Sequence, residues 1–192
     1  KGGIASLAAS ARSVSGLFGA MFTGLSAAVF VGQVKKAIDS MDEAKKSAQA
    51  AGTSVENFTA LRFAGNQSGV ADMEKSLVAL ADSLDAAAAA TSPAASAFKA
   101  LRIDPTQFTD SSDALDVLAE RFAAMPDGIT KTALAQELFG RSGARLVPLL
   151  NQGAEGLARF RAEAEALGVV LDGETAAAAA ELNDNIDKLR AA

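Results

Sequence analysis

The uncharged stretch at residues 13–34 (SVSGLFGAMFTGLSAAVFVGQV), bounded by Arg12 and Lys35, most constrains how this chain can fold. Its length suits a membrane-spanning helix, which needs about 20 apolar residues. Serine, threonine, glutamine and four glycines dilute it, so a buried helix in a soluble oligomer is an equally good interpretation. A secretory signal fits less well, because the apolar run exceeds the usual ~7–15 residues. The sequence therefore predicts an apolar N-terminal helix within residues 1–50 that oligomerises or can enter a membrane.

The faces of this predicted helix differ in side-chain size. Residues four apart lie side by side on a helix surface, and a row of small residues lets two helix backbones approach closely. The small row consists of Gly16, Ala20, Gly24, Ala28 and Gly32. The bulky side chains that would face lipid in a membrane are Leu17, Phe18, Phe22, Leu25 and Phe30. Because glycine inside a helix costs about 1 kcal/mol relative to alanine, the glycines of the small row indicate a packing role.

Composition and charge exclude several kinds of site. The 192-residue chain has neither cysteine nor histidine, which excludes disulfides and thiolate metal sites and removes the commonest general base. Residues 1–50 hold six basic and three acidic residues, a net charge of +3, whereas residues 51–192 hold twelve and twenty, a net charge of −8. Nucleic-acid binding depends on basic side chains that neutralise phosphates. We therefore expect no sequence-specific binding to nucleic acid.

Beyond Lys35, apolar residues recur with helical spacing and no run alternates convincingly with a period of two, so the predicted class is all-α. The N-terminal helix should continue to Gly52, and a compact acidic module of short helices should fill residues 51–192. Its expected helices cover about residues 54–66, 71–90, 93–101, 115–125, 130–139, 142–150 and 154–167, with a last helix from about 174. Since the chain starts at Lys1 without methionine and stops within a helical pattern, we expect it to be part of a longer protein.

Local signals predict several helix ends. Thr53, followed three residues later by Glu56, predicts a capping box with Thr53 as the N-cap. Ser92-Pro93 predicts an N-cap followed by a proline in the first helical position. Asp104-Pro105 predicts a turn, followed by an irregular segment.

Candidate chemical groups do not combine into an active site. Acid–base catalysis needs two carboxylates whose pKa values are pushed apart by their surroundings. The aspartates that share helix faces lie opposite apolar stripes, which favours a solvated role for Asp82/Asp85, Asp113/Asp116 and Asp184/Asp187. The glycines of residues 139–143 lack a nucleotide-binding fingerprint, and Arg141 and Arg145 are expected to form ion pairs. We predict no catalytic, cofactor-binding or metal site, and no enzymatic activity.

Three segments carry a family resemblance: FGRSGARLVPLLNQG (139–153), GLARFRAEAEALGVVLDGE (156–174) and AELNDNIDKLRAA (180–192). They resemble the tail tape measure proteins of long-tailed bacteriophages and related prophage tails. Residues 51–84 and 126–140 fit the same pattern, so the resemblance covers about residue 37 to the end. Its core is the motif FG-x-SG-x-x-L-x-P-L-L. The matching residues are Phe139, Gly140, Ser142, Gly143, Leu146, Pro148, Leu149 and Leu150.

The resemblance implies a structural virion protein that lies in the lumen of the tail tube. Such a protein sets tail length during assembly in the host cytoplasm and leaves ahead of the DNA at infection, often acting at the host envelope. The implied partners are further copies of itself, tail tube and distal tail or tip proteins, tail assembly chaperones and, on ejection, the host membrane. An unbroken helix of 192 residues would extend roughly 290 Å. At least six turn signals break this chain, so residues 51–192 should form a compact module and not a ruler.

The motif also has an interpretation in terms of packing. The apolar faces of two short helices that meet at Gly140 come from Phe139, Leu146, Leu149 and Leu150. Gly140 suits the left-handed position after a helix, and Ser142 suits the N-cap of the next one. Pro148 either lies in the first turns of helix 142–150 or kinks it. The motif therefore identifies a fold and need not be a binding site.

Two other functional classes remain open at this point. In a membrane channel or pore protein, residues 13–34 would be the working element. A soluble helical adaptor would have no viral role. A neighbouring tail tube gene upstream and a distal tail gene downstream would favour the tape measure, and flotation with liposomes would separate the other two.

We expect the N-terminal helix to self-associate through its small row. Replacing Gly24 with leucine should fill the groove and prevent close approach of the backbones, since this groove suits helices that cross. Chemical crosslinking of the unmodified chain should give a discrete oligomer that the Gly24→Leu variant lacks. An unchanged oligomer in the variant would contradict this prediction.

Overall fold

The computed structural model describes residues 27–88 and 92–191, and gives side-chain placements for residues 35–87 and 92–184. All regular structure within these ranges is helical and no strand occurs in them, which confirms the predicted all-α class. Most of the apolar stretch at residues 13–34 lies outside the described residues. Only its last part, from Ala27, belongs to a described helix.

Nine α-helices follow one another through the described ranges. They are α1 (Ala27–Ala50), α2 (Val55–Gln67), α3 (Met73–Ala88), α4 (Pro93–Ala100), α5 (Ser111–Ala123), α6 (Ile129–Phe139), α7 (Val147–Leu150), α8 (Gly153–Ala166) and α9 (Gly173–Ala191). Two 3-10 turns, Pro105–Gln107 and Gly143–Leu146, precede α5 and α7. The sequence placed these helices within a few residues, except that the expected helix 142–150 divides into a 3-10 turn and α7.

The described residues divide into two compact units. The larger unit is Lys46–Gly173 and contains the end of α1 and helices α2 to α8. The smaller unit contains α1 up to Lys45 and α9 from Glu174. In the smaller unit, Lys35 Nζ donates hydrogen bonds to Asp39 Oδ1 at 2.8 Å and to Asn183 Oδ1 at 3.4 Å, which links α1 to α9.

Aromatic and leucine side chains form the core of the larger unit. Phe58, Phe98, Phe122 and Phe139 are each at most 1% exposed. Burial of one such side chain contributes about 1.5–3 kcal/mol. The rings of Phe122 and Phe139 meet edge to face, with centroids 6.5 Å apart and 69° between their planes. This geometry adds roughly 0.5–1.5 kcal/mol beyond burial and joins α5 to α6.

The end of α1 shows why one predicted cap is wrong. The structure places Ser54, not Thr53, at the N-cap of α2, where its hydroxyl accepts a hydrogen bond from the backbone N–H of Asn57 at 3.1 Å. Thr53 is already used by the preceding helix, because its N–H donates to Ala48 O at 3.1 Å. The predicted cap at Ser92 is confirmed, since its hydroxyl accepts from Ala95 N at 3.1 Å ahead of Pro93.

Four of the described helices end in the same motif, in which a residue with positive φ allows two backbone hydrogen bonds to close the last turn. Three of these positions are glycines, namely Gly52, Gly69 and Gly168. The fourth is Arg102, with φ 56°, after α4. There, Arg102 N donates to Lys99 O at 3.1 Å and Ile103 N donates to Phe98 O at 2.9 Å. A side chain at this φ is strained, so α4 ends at a cost that the other three avoid.

We expect Arg102→Gly to stabilise the fold. Relief of the left-handed strain, roughly 1–2 kcal/mol, exceeds the entropy that glycine adds to the unfolded chain, about 0.4–1 kcal/mol. The net gain should be about 0.5–1 kcal/mol, measured as a higher midpoint of urea unfolding at unchanged slope.

Two matched variants test this account of Arg102. Gly69 has φ +75° and open space around its Cα, so Gly69→Ala introduces the same strain without a clash and should destabilise. Arg102→Ala keeps the strain and should leave the midpoint nearly unchanged. A lower midpoint for Arg102→Gly than for Arg102→Ala would contradict this account, because it would show that the strain at position 102 costs less than the entropy that glycine adds to the unfolded chain. A midpoint lowered equally in both variants would show that the arginine side chain itself stabilises this end of α4.

Candidate functional site

The residues that carry the resemblance form the connection between α6 and α8. α6 ends at Phe139, and Gly140 follows with φ 72° and ψ −168°. Only glycine adopts this combination readily. The φ is positive, but ψ is extended, so the predicted left-handed helical conformation of Gly140 is wrong. The chain leaves α6 extended and reverses direction into the 3-10 turn.

Gly143 explains why the turn can lie so close to α6. A β-carbon at this position would stand 2.0 Å from the carbonyl oxygen of Ala135, an impossible approach. The obstacle is backbone and cannot move aside as a flexible side chain would. Glycine at position 143 is therefore required by the close contact of two backbones.

Of the two local predictions for Ser142 and Pro148, only the one for Pro148 is met in full. Ser142 occupies the predicted N-cap position, ahead of the 3-10 turn, with φ −82° and ψ −7°, but its side chain makes no capping hydrogen bond. A capping residue needs an extended backbone, and Ser142 is already helical. Pro148 lies in the first turn of α7, where its missing N–H costs no hydrogen bond.

The large apolar side chains of the motif lie in the core of the larger unit. Their exposed fractions are at most 1% for Phe139, Leu146, Leu149 and Leu150. Together with the two glycines, they place the 3-10 turn and α7 against the rest of the core. The motif is thus positioned to determine the fold, and it leaves little side chain on the surface for a ligand.

The residues proposed for helix packing and lipid contact lie largely outside the described residues. On α1, the structure includes Ala28 and Gly32 of the small row and Phe30 of the bulky set, as backbone only. The remaining members fall in residues 1–26: Gly16, Ala20, Gly24, Leu17, Phe18, Phe22 and Leu25.

The prediction of a solvated side chain is wrong for one aspartate, Asp116. Asp82, Asp85, Asp113 and Asp184 are exposed, as expected for a solvated face, and the side chain of Asp187 lies outside the described residues. Asp116 is half-buried, and its Oδ2 accepts a hydrogen bond from Arg161 NH1 at 2.8 Å.

The pair of Asp116 and Arg161 joins α5 to α8. Arg161 NH2 also donates to Ser112 Oγ at 2.9 Å. Asp116 Oδ1 and Arg161 Nε are buried without a hydrogen-bond partner among the described residues. Breaking a partly buried pair leaves one charge uncompensated, so this contact fixes the two helices relative to each other. The sequence offered no local signal for it, because Arg161 lies 45 residues after Asp116.

Two further cations form ion pairs, and they differ in burial. The predicted ion pair of Arg145 forms with Asp72, at 3.9 Å, on the surface, where such pairs contribute little to stability.

Lys131 was not singled out in the sequence, yet only 2% of its side chain is exposed. Its Nζ donates to Met125 O at 2.9 Å and to Asp127 Oδ1 at 3.0 Å, which fastens the turn before α6. Hydrogen bonds from Lys131 and Asn151 lower the pKa of Asp127.

A second set of contacts ties the segment before α9 to α2. Glu56 Oε1 accepts a hydrogen bond from the N–H of Gly173 at 2.6 Å, and Thr59 Oγ1 accepts from the N–H of Leu171 at 3.1 Å. The hydroxyl of Thr59 in turn donates to Val55 O at 2.9 Å. Hydrogen bonds from its own backbone N–H and from Gly173 lower the pKa of Glu56 below its usual 4.5. Glu56 thus caps a helix that begins 117 residues later.

The larger unit also has an open groove of about 290 Å³ between the end of α1, α3 and the segment before α5. Three carboxylates line it: those of Asp82, Asp85 and Asp110. Asp110 is the N-cap of α5, and its Oδ1 accepts from Ser112 N at 2.7 Å. Ser111 also lines the groove and is 2% exposed, and its hydroxyl has no hydrogen-bond partner among the described residues. Sequence reasoning missed this groove.

The described ranges contain no group of three or more acidic side chains placed to hold a metal ion. Nor does any helix within residues 27–88 and 92–191 combine the length and apolar character that crossing a membrane requires. Comparisons with protein-family models, curated proteins and solved structures give no significant match for this chain.

We expect Glu56→Gln to destabilise the fold at neutral pH. A carboxylate accepts N–H hydrogen bonds more strongly than an amide does, and screening by solvent limits the loss to less than about 1 kcal/mol. Because folding lowers the pKa of Glu56, its contribution is complete above the unfolded value of 4.5 and is lost as the pH falls through the folded value. Urea midpoints of the two proteins should differ at pH 7, begin to converge as the pH falls below about 4.5, and approach each other at about pH 3.

The exposed Glu120 on α5 provides the control for this prediction. Glu120→Gln should follow the unmodified chain at both pH values. A difference between Glu56→Gln and the unmodified chain that persists undiminished at pH 3 would assign the effect to packing and not to the carboxylate charge.

Proposed function

We propose that this chain is a portion of the tail tape measure protein of a long-tailed bacteriophage or a related prophage tail. Within it, residues 46–173 act as a compact helical module. The family resemblance of the segments around residues 139–192 is the basis of the proposal, and the placement of the motif supports it.

The observation that carries the proposal is what the FG-x-SG-x-x-L-x-P-L-L motif does in the fold. Gly140 and Gly143 occupy positions that a side chain would strain or block. The four large apolar side chains of the motif are buried. The motif resembles the family at residues that determine packing, and proteins that share a fold share the residues that pack it. Shared alanine-rich composition alone would not select these positions.

The polar contacts also fit a structural role. Asp116 and Arg161 join α5 to α8, Lys131 fastens the turn before α6, and Glu56 holds Gly173. These groups are engaged in holding helices together. The longest described helix, α1, has 24 residues and spans roughly 36 Å, so tail length must be set by other parts of the proposed protein.

The N-terminal stretch has two proposed roles in this setting. Inside the tube, the small row would bring copies of the chain together. On ejection, residues 13–34 would enter the host membrane with the phenylalanines toward lipid, since a helix satisfies its own backbone polar groups there. The absence of charge spares a cost of ~2.5–3.5 kcal/mol per charged residue at the bilayer centre. Tail tube proteins, tip proteins and assembly chaperones are the further proposed partners.

The composition of purified tails tests this proposal. Peptides of the chain should co-purify with tails in a density gradient, in several copies per tail by quantitative mass spectrometry. After DNA ejection is triggered in vitro, their amount per tail should fall. Recovery of the protein only in membranes of cells without particles would favour a channel, and recovery only in a soluble complex lacking tail proteins would favour an adaptor.

A pair of variants links the test to the motif. Gly143→Val forces the 3-10 turn away from α6 and should give particles without tails in electron micrographs. Arg141→Ala, two residues earlier on an exposed side chain, should give normal tails. Tails of normal number and length with Gly143→Val would separate the motif from tail assembly.

A further inference from the structure

We propose that Asp127 is a site of spontaneous covalent modification, at which its peptide bond to Gly128 rearranges into an isoaspartyl linkage. Asp127-Gly128 and Asp172-Gly173 are the two Asp-Gly steps of the sequence. Glycine after aspartate favours the rearrangement, because no side chain hinders the attack of its backbone nitrogen on the neighbouring carboxyl group. The fold leaves this chemistry open at Asp127 and blocks it at Asp172. The modification needs no enzyme or partner, so it is independent of the proposed function.

The rearrangement passes through a cyclic succinimide and uses no reagent except water. The nitrogen of Gly128 bonds to Cγ of Asp127, one Cγ–O bond breaks, and the oxygen leaves as water with the amide proton and one proton from solvent. Water then opens the ring and a proton returns to solvent. Attack of water at Cγ restores aspartate, whereas attack at the main-chain carbonyl carbon breaks its bond to nitrogen. The second product has an unchanged composition, but its backbone runs through Cβ and Cγ.

The turn between α5 and α6 exposes both reacting groups. The side chain of Asp127 is 76% exposed. The N–H of Gly128 donates no hydrogen bond to any residue within the described ranges. Residues 126–128 lie outside both helices, so their backbone can rotate to bring the nitrogen toward Cγ.

Two hydrogen bonds restrain the carboxylate of Asp127 without closing the site. Its Oδ1 accepts from Lys131 Nζ at 3.0 Å and from Asn151 Nδ2 at 3.2 Å. These bonds lower the pKa of Asp127 and favour the ionised carboxylate, which is a poorer electrophile than the neutral acid. Both contacts hold the group under attack, and neither engages the attacking nitrogen. They therefore slow the reaction and do not prevent it.

At Asp172 the fold engages the nitrogen itself. The side chain of Asp172 is also exposed, so access of solvent does not distinguish the two steps. Gly173 begins α9, and its N–H donates to Glu56 Oε1 at 2.6 Å. Two residues earlier, the N–H of Leu171 donates to Thr59 Oγ1 at 3.1 Å. To reach Cγ of Asp172, the nitrogen must leave a charge-assisted hydrogen bond and the start of α9 must unwind.

Incubation of the intact chain at neutral pH in heavy-oxygen water tests the proposal. Each opening of the succinimide leaves one heavy oxygen atom at the reacting residue, which peptide mass spectrometry measures while fragmentation separates isoaspartate from aspartate. Label should enter at Asp127 about tenfold faster than at Asp172, the factor that one hydrogen bond to a charged group supplies. Asp85, an exposed aspartate within α3, gives the background. Label at Asp127 no faster than at Asp85 or Asp172 would overturn the proposal.

The same incubation in urea separates the effect of the fold from that of the sequence. Both Asp-Gly steps should react at similar rates in the unfolded chain, because the contacts to Glu56, Lys131 and Asn151 are lost. A preference for Asp127 that persists unchanged in urea would assign it to the neighbouring residues of the sequence and overturn the role of the fold.

Glu56→Ala tests the protection of Asp172. The variant removes the acceptor of the Gly173 N–H and should raise the rate at Asp172 about tenfold, with no change at Asp127. Glu120→Ala, at an exposed position on α5, should change neither rate. Circular dichroism verifies that each variant is folded. An unchanged rate at Asp172 in the folded Glu56→Ala variant would overturn the protective role of this contact.

Asn151→Ala tests the restraint on Asp127. It removes one of the two hydrogen bonds on Oδ1 and should raise the rate at Asp127 about threefold, with no change at Asp172. An unchanged rate at Asp127 would overturn the restraint assigned to the carboxylate contacts. An equal rise at both steps, here or in Glu56→Ala, would show general loosening of the fold and overturn the distinction between the two sites.

Discussion

The larger unit depends on a contact between two stretches of backbone, where the 3-10 turn at Gly143–Leu146 meets α6. A hydrogen is the only side chain that fits against the carbonyl oxygen of Ala135. From this position the chain carries Leu146 and α7 into the core that also contains Phe139 and its edge-on partner Phe122. Protein interiors are packed as densely as organic crystals, so a displaced turn would open space that the surrounding side chains cannot fill. The residues that carry the family resemblance are therefore also residues on which the packing of the larger unit depends.

Polar side chains also hold helices of the larger unit together. Arg161 and Asp116 fix α8 against α5, and Ser47 Oγ donates to Glu74 Oε1 at 2.7 Å between α1 and α3. The carboxylate of Asp110 caps α5 and, in doing so, holds Ser111 at the wall of the acidic groove.

The sequence predicted the helices well because apolar spacing, glycines and prolines act locally. The sequence alone could not distinguish Thr53 from Ser54 as the N-cap of α2, because both residue types are suitable caps. The structure decides for Ser54, since the N–H of Thr53 is bound to Ala48 O at the end of α1. The ion pair of Asp116 with Arg161 could not be predicted from local spacing, because the two residues lie 45 positions apart. The groove combines residues from three separate stretches, 49–52, 81–85 and 108–111, so it exists only once the helices have packed. Periodicity shows which face of a helix is buried, but not which helix covers it.

The attachment of residues 171–173 to α2 sets the path of the chain where it leaves the larger unit. The N–H groups of Leu171 and Gly173 are bound to Thr59 and Glu56, two residues that lie on α2, 112 and 117 positions earlier. Two hydrogen bonds from one short segment restrict both its position and its direction. The exit of the chain is therefore determined by side chains of a distant helix, so a change on α2 would be felt at residues 171–173.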